Sequence, residues 1–222
     1  MSKCLLSCSA NIVIVILLPF LLIISQELFA ADKIVIDDFE DGLSSHWSVK
    51  EFKGMTVYSI HEENGNKSLK AYSRDTASAL IYKISYDLKE FPFLTWKWKV
   101  MNIISTGDAT KKAGDDYAAR IYVIFPHWIP VFTKSINYIW ANKLKKGDTI
   151  PNSFYSRVVM VAVESGTEMT GEWISEKRNV LEDYKAIFGE DPATPEAIAI
   201  MTDTDNTGEE AVAYYDDIVL RR

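Results

Sequence analysis

Along residues 93–100 apolar and polar side chains alternate without a break: Leu94, Trp96, Trp98 and Val100 on one side, Thr95, Lys97 and Lys99 on the other. Successive strand residues point to opposite faces, so this pattern predicts a strand with one face against a core. The same period of two recurs along 78–88, where Leu80, Tyr82, Ile84 and Tyr86 share a face. It recurs again along 117–125, where Ala119, Ile121, Val123 and Phe125 oppose Arg120 and Tyr122. Segments 56–62 and 68–73 flank Asn64-Gly65-Asn66, a strong short-hairpin signal. Shorter strands are predicted at 34–39, 135–141 and 173–175. Segment 155–164 is apolar on both faces at its middle, as in a strand covered on both sides. Segments 198–202 and 211–220 read as a closing hairpin around the turn Asp203-Thr204-Asp205-Asn206-Thr207-Gly208.

One stretch breaks the period. Residues 180–188 carry a helix signal, with Asn179 as N-cap, Gly189 just past the end and Pro192 beyond. About ten strands and one short helix predict an all-β fold, a two-sheet antiparallel β-sandwich.

The N-terminus changes the picture of where this sandwich works. Lys3 is the only charge before Glu27, the run 12–24 is apolar apart from Pro19, and Ala30 and Ala31 follow. These features predict a signal peptide over 1–31, with 32–222 as a single β-sandwich domain. An uncleaved N-terminal anchor is the alternative and the only membrane attachment expected, although this apolar core is shorter than the ~20 residues of a spanning helix. Both cysteines, Cys4 and Cys8, fall in the leader, so no disulfide staples the remainder and a packed core must hold it. The net charge of −7 argues against a nucleic-acid partner.

Candidate chemistry is sparse and acidic. His46, His61 and His127 lack metal-ligand spacing, and no nucleophile signature accompanies them. The Asp203–Gly208 turn begins like a calcium loop, but its twelfth position is Tyr214 where a bidentate acid is needed. Asp115 and Asp116 stand at a strand entrance with Arg120 inside the strand, and Glu164 or Glu176 would be its partner. Sugar sites combine aromatic platforms with planar polar groups. That chemistry nominates Asp115, Asp116, Arg120, Tyr138, Trp140, Arg178 and Asn179, together with Asp203, Asp205 and Asn206 of the acidic turn. Trp96 and Trp98 sit at core spacing, and Trp128 is held between Pro126 and Pro130.

Two resemblances follow from these residues. The blocks 112–120 (KAGDDYAAR), 136–141 (INYIWA), 176–180 (EKRNV) with Asp183-Tyr184, and 200–208 (IMTDTDNTG) occur in the order of a bacterial exported family designated domain of unknown function 3047. The chain resembles that family, which implies a periplasmic location but carries no activity. The ends, Phe39-Glu40-x-Gly42 with Trp47 and Tyr215-Asp216-Asp217-Ile218-Val219-Leu220, are similar to galactose-binding-like carbohydrate-binding modules. That resemblance implies a jelly roll whose first and last strands pair. It also implies a structural calcium ion held by Glu40 and Asp217, with Asp38 nearby. The expected function is non-catalytic binding of a glycan or another envelope polymer. A carbohydrate-active enzyme using a carboxylate pair, or a structural component of the envelope, are the alternatives.

Overall fold

The computed structural model describes residues 32–222; the leader expected at 1–31 lies outside the described residues. In chain order the elements are β1 (Lys33–Asp37), β2 (Trp47–Lys53), β3 (Val57–Glu63), β4 (Asn66–Arg74), β5 (Ala77–Lys83), β6 (Phe93–Val100) and β7 (Arg120–Phe125). They continue with β8 (Lys134–Ala141), β9 (Thr149–Pro151), β10 (Val158–Ser165), β11 (Ile174–Asn179), the helix α1 (Val180–Phe188), β12 (Ala197–Met201) and β13 (Glu210–Arg221). Two sheets form the jelly-roll sandwich. One runs β11-β6-β13-β4-β3, with β1 added beside β13; the other runs β2-β5-β12-β7-β8-β10-β9. Pairing is antiparallel except between β8 and β10, which run parallel.

Alternation decides what each sheet gives the core. Leu94, Trp96, Trp98 and Val100 are all buried between the sheets, as are Ile121, Val123 and Phe125 from the facing sheet. Aromatic rings join the two layers: Trp96 meets Tyr138 at 5.4 Å between centroids, and Trp98 meets Trp140 at 5.9 Å. Each large apolar side chain removed from water here contributes roughly 1.5–3 kcal/mol, which is how the described fold stands without a disulfide.

The helix forms where its signals lie. Asn179 accepts a hydrogen bond from the Glu182 backbone N–H at 3.2 Å, and Gly189 closes the helix in the left-handed region at φ 69°. Among the described residues no helix is long and apolar enough to cross a membrane.

Two expectations are corrected. The closing hairpin is a corner: β12 lies in the seven-stranded sheet and β13 in the other, so residues 202–209 carry the chain from layer to layer. Segment 78–88 is strand only as far as Lys83, after which Asp87 accepts the Lys89 backbone N–H and turns the chain. The chain's two ends do pair, with Lys33 opposite Arg221 and Val35 opposite Val219. A bulge at Asp217 (φ 47°) makes this possible, because there β13 exchanges β4 for β1 as its neighbour.

Candidate functional site

Residues that alternate away from the core build the outer face of the seven-stranded sheet. Arg120 opens β7 on this face, directly opposite Met201 at the end of β12, and Met201 lies opposite Ala79 on β5. Above this row lies a cleft of about 470 Å³. Its floor is Ala77, Ala79, Ile81, Ala199, Met201, Tyr122 and Ile124; Phe52 stands on one side and Phe154, Tyr155 and Val158 on the other. Lys50, Asp115, Arg120, Asn152, Asp203, Asp205 and Asn206 supply its polar lining.

The polar end is a set of interlocking hydrogen bonds. Asp203 receives the Arg120 guanidinium in a buried ion pair, and its other oxygen accepts the Tyr117 backbone N–H at 3.3 Å. The guanidinium lies 5.0 Å from the Tyr117 ring centroid and 5.6 Å from that of Tyr122, and its buried Nε has no hydrogen-bond partner among the described residues. Asp116 accepts from the Asn206 backbone N–H at 3.1 Å and side-chain amide at 3.1 Å, and from the Thr207 N–H at 2.7 Å. Asp115 takes the Asn152 amide at 2.7 Å, while the Asn152 carbonyl oxygen accepts from the Phe154 and Tyr155 N–H groups. One acid therefore pins the 203–208 corner and its neighbour pins the aromatic turn on the far side. Gly114 precedes them because the chain passes close to itself there: a Cβ would stand 2.5 Å from the Asp108 backbone nitrogen.

Asp116, Asp203 and Asp205 bring carboxylate oxygens within 4.8 Å of one another. Burial pushes the Asp203 carboxyl well above its ordinary range, the charges of Asp116 and Asp115 push it further, and Arg120 opposes them. Asp205 is raised for the same first reason, burial, and next by Asp116. Burial lowers the affinity of Arg120 for its proton, but the charge of Asp203 leads the effects that raise it overall. The guanidinium thus supplies the counter-charge this acidic end requires.

The structure divides the nominated ligand residues. Asp115, Asp116, Arg120, Asp203, Asp205 and Asn206 come together at the cleft. Tyr138 and Trp140 do not: they alternate inward, are fully buried, and give their polar atoms to Asp183 and to the Gly166 carbonyl. Arg178 and Asn179 lie on the other sheet, where Arg178 pairs with Asp183 at 2.6 Å and Asn179 caps α1. The partner of Arg120 is Asp203, not Glu164 or Glu176; Glu164 instead binds Lys146 at 2.7 Å.

Asp38, Glu40 and Asp217 do not draw together as Asp116, Asp203 and Asp205 do. Asp217 is paired with Lys97 at 2.7 Å, and a Glu40 oxygen accepts the Lys67 backbone N–H at 2.9 Å. Asp38 and Asp217 line one recess beside Lys97.

Sequence reasoning missed Phe52, Tyr122, Asn152, Phe154 and Tyr155. Tyr122 was legible as the outward neighbour of Arg120. The Asn-Ser-Phe-Tyr segment at 152–155 carried a turn signal with two aromatics, which is where exposed platforms arise.

The fold and the cleft define a jelly-roll β-sandwich with a ligand-sized recess on the outer face of one sheet. The model of the family described as "Protein of unknown function (DUF3047)" matches residues 45–219, and the chain belongs to that family. A search of curated proteins gives no match. Among solved structures, the chain is similar to the family 11 carbohydrate-binding module of a Clostridium thermocellum cellulase (12% identity, TM-score 0.46, 86% of this chain and 95% of that one). It is likewise similar to a family 30 module from the same organism (11%, 0.47, 85% and 96%). A third is a carbohydrate-binding module, CBM28, specific for non-crystalline cellulose (17%, 0.45, 85% and 94%).

Proposed function

We infer that this is an exported, periplasmic, non-catalytic binding protein that holds a glycan or envelope polymer in the cleft over β5, β12 and β7. The observation carrying this reading is the pairing of exposed aromatics with planar polar groups. Phe52 is 58% exposed and Tyr155 73%, and between them lie the amides of Asn152 and Asn206 and the carboxylate of Asp205. Rings supply flat apolar contact at little entropic cost, and the amide and carboxylate groups satisfy hydroxyls. A recess of this size is in the ordinary range for a small-ligand site.

The test is a glycan array probed with the purified protein, followed by calorimetry on any hit with wild type and with Tyr155→Ala and Asn206→Ala. Saturable binding weakened by both substitutions is expected. Binding unaffected by either, or no binding to any envelope glycan, would remove the reading.

The converging carboxylates favour one second reading, hydrolysis by an acid pair in the same cleft. Asp205→Asn would then abolish turnover while leaving binding intact. Absence of turnover on a glycan the wild type binds would exclude it.

A further inference from the structure

The cleft is polarised along the strand direction. Register places Arg120, Met201, Ala79 and Lys50 in one row across the outer face, and Tyr122, Ala199 and Ile81 in the next. Ile124, opposite Ala197, opens the row beyond. Arg120, Lys50 and the 203–206 corner put most of the cleft's charge at the Arg120 row or past it, while the Asn152 amide reaches Asp115 from beside Val158, in the row of Ile124. On the floor of the cleft the two following rows offer aliphatic and aromatic surface, Ala199 and Ile81 beside the Tyr122 ring, with Val158 at the rim; Ser48 and Asn137 flank them outside the cleft. From Arg120 to Ile124 this strip extends roughly 14 Å, at about 3.4 Å per residue.

A sugar ring laid over that floor would lose water from the hydroxyls facing it and find few partners there, at a cost of roughly 1–3 kcal/mol for each buried group left unpaired. An alkyl chain has no such penalty. Small side chains at Ala79 and Ala199, between Ile81 and Tyr122, leave a furrow for a chain where large ones would fill it. The apolar character also continues outward. β7 ends at Phe125, and the loop that follows presents Trp128 at 86% and Val131 at 71% exposure.

We propose that the cleft binds an amphiphile: a donor-bearing polar head lies against Asp205 and Asn206, and an aliphatic chain lies along the Ala199–Ile124 strip. Resting on the reading above, which places a glycan in this cleft, the ligand class becomes an acyl- or alkyl-bearing glycan. The proposal names the chain as the larger source of affinity and the head as the source of orientation.

Alkyl glucosides from butyl to decyl, kept at monomeric concentrations and titrated by calorimetry, test this directly. Affinity is expected to rise about fourfold per methylene, the equivalent of about 0.8 kcal/mol for each buried CH₂, until the strip is full. In Ala199→Phe, which fills the furrow, the series is expected to be flat; a melting curve checks that the variant folds. If it does not fold, the wild-type series decides alone. A flat wild-type series, or no binding of any amphiphile, overturns the proposal. Tight binding of free oligosaccharide with no gain from a chain also overturns it, and leaves the glycan reading standing. Alkyl phosphocholines giving the same slope and the same affinity as the glucosides support the chain site and remove the glycan reading of the polar end.

Discussion

Asp116 and Asn206 stand 90 positions apart in the chain, and the carboxylate of one holds both the backbone N–H and the side-chain amide of the other. Because Thr207 donates to the same carboxylate, one acid organises the corner that carries the chain between the sheets. Hydrogen bonds to a charged acceptor contribute more than neutral ones, and their loss leaves partly buried N–H groups without a partner. Asp116→Ala is expected to cost about 3 kcal/mol in urea unfolding, whereas Asp116→Asn keeps part of the network and costs about half as much. The same Ala variant should expose amides 205–208 to rapid hydrogen exchange. Unchanged stability would mean the corner is held by other contacts.

Arg120 and Asp203 form the most deeply buried ion pair among the described residues, at 5% and 2% side-chain exposure. Removing one partner strands a charge in a poorly solvated site. Arg120→Met and Asp203→Leu are each expected to destabilise by about 3–5 kcal/mol. The double variant removes both charges and should be no worse than the milder single one. Denaturant melts on the four proteins of this cycle give the coupling directly. Additive losses would show that the two side chains act independently.

Much of this fold was legible, and the reason lies in how burial writes itself into a strand. Segment 93–100 has one wholly apolar side, and each of those side chains is in the core. β2 escaped notice because only Trp47 of its seven residues is buried, so there is no alternation to read. The corner at 202–209 was legible as a turn but not as a change of sheet, since apolar spacing says which face is buried and not which layer the strand joins. The polar end of the site was found because Asp115, Asp116, Arg120 and Asp203 are costly to bury without partners. Tyr138 and Trp140 misled for the opposite reason. β8 is buried on both faces, so its alternation does not reveal which face looks inward.

Around the cleft, exposed rings should matter for binding and not for stability. Tyr155 and Phe52 are mostly solvent-facing, so truncating them removes little buried area. Tyr155→Ala and Phe52→Ala are each expected to weaken ligand binding about tenfold, near the upper value for an aromatic contact, while melting temperature stays unchanged. Ile36→Ala, in the core, should do the reverse. Affinity and melting measured on the same preparations separate the two classes.

Glu176 gives a pH dependence with a definite sign. On the edge strand β11 it lies opposite the inward-facing Trp96, one of its oxygens is buried without a hydrogen-bond partner among the described residues, and burial leads the effects that raise its pKa to about 7. Glu164 adds to the rise and Lys146 opposes it. In the unfolded chain the group titrates near its ordinary value of 4.5. Between these two values the folded state binds more protons than the unfolded state, so stability from this group falls as pH rises. Below the lower value both states are protonated and the group contributes no pH dependence; above the upper value the penalty is complete. Thermal melts from pH 4 to 8 are therefore expected to show a loss across that window. Glu176→Gln should lack this component and melt higher than wild type at pH 8, with little difference at pH 4. A wild-type profile that rises through this window and is unaltered by the substitution would mean that Glu176 is ionised in the folded protein at neutral pH without penalty.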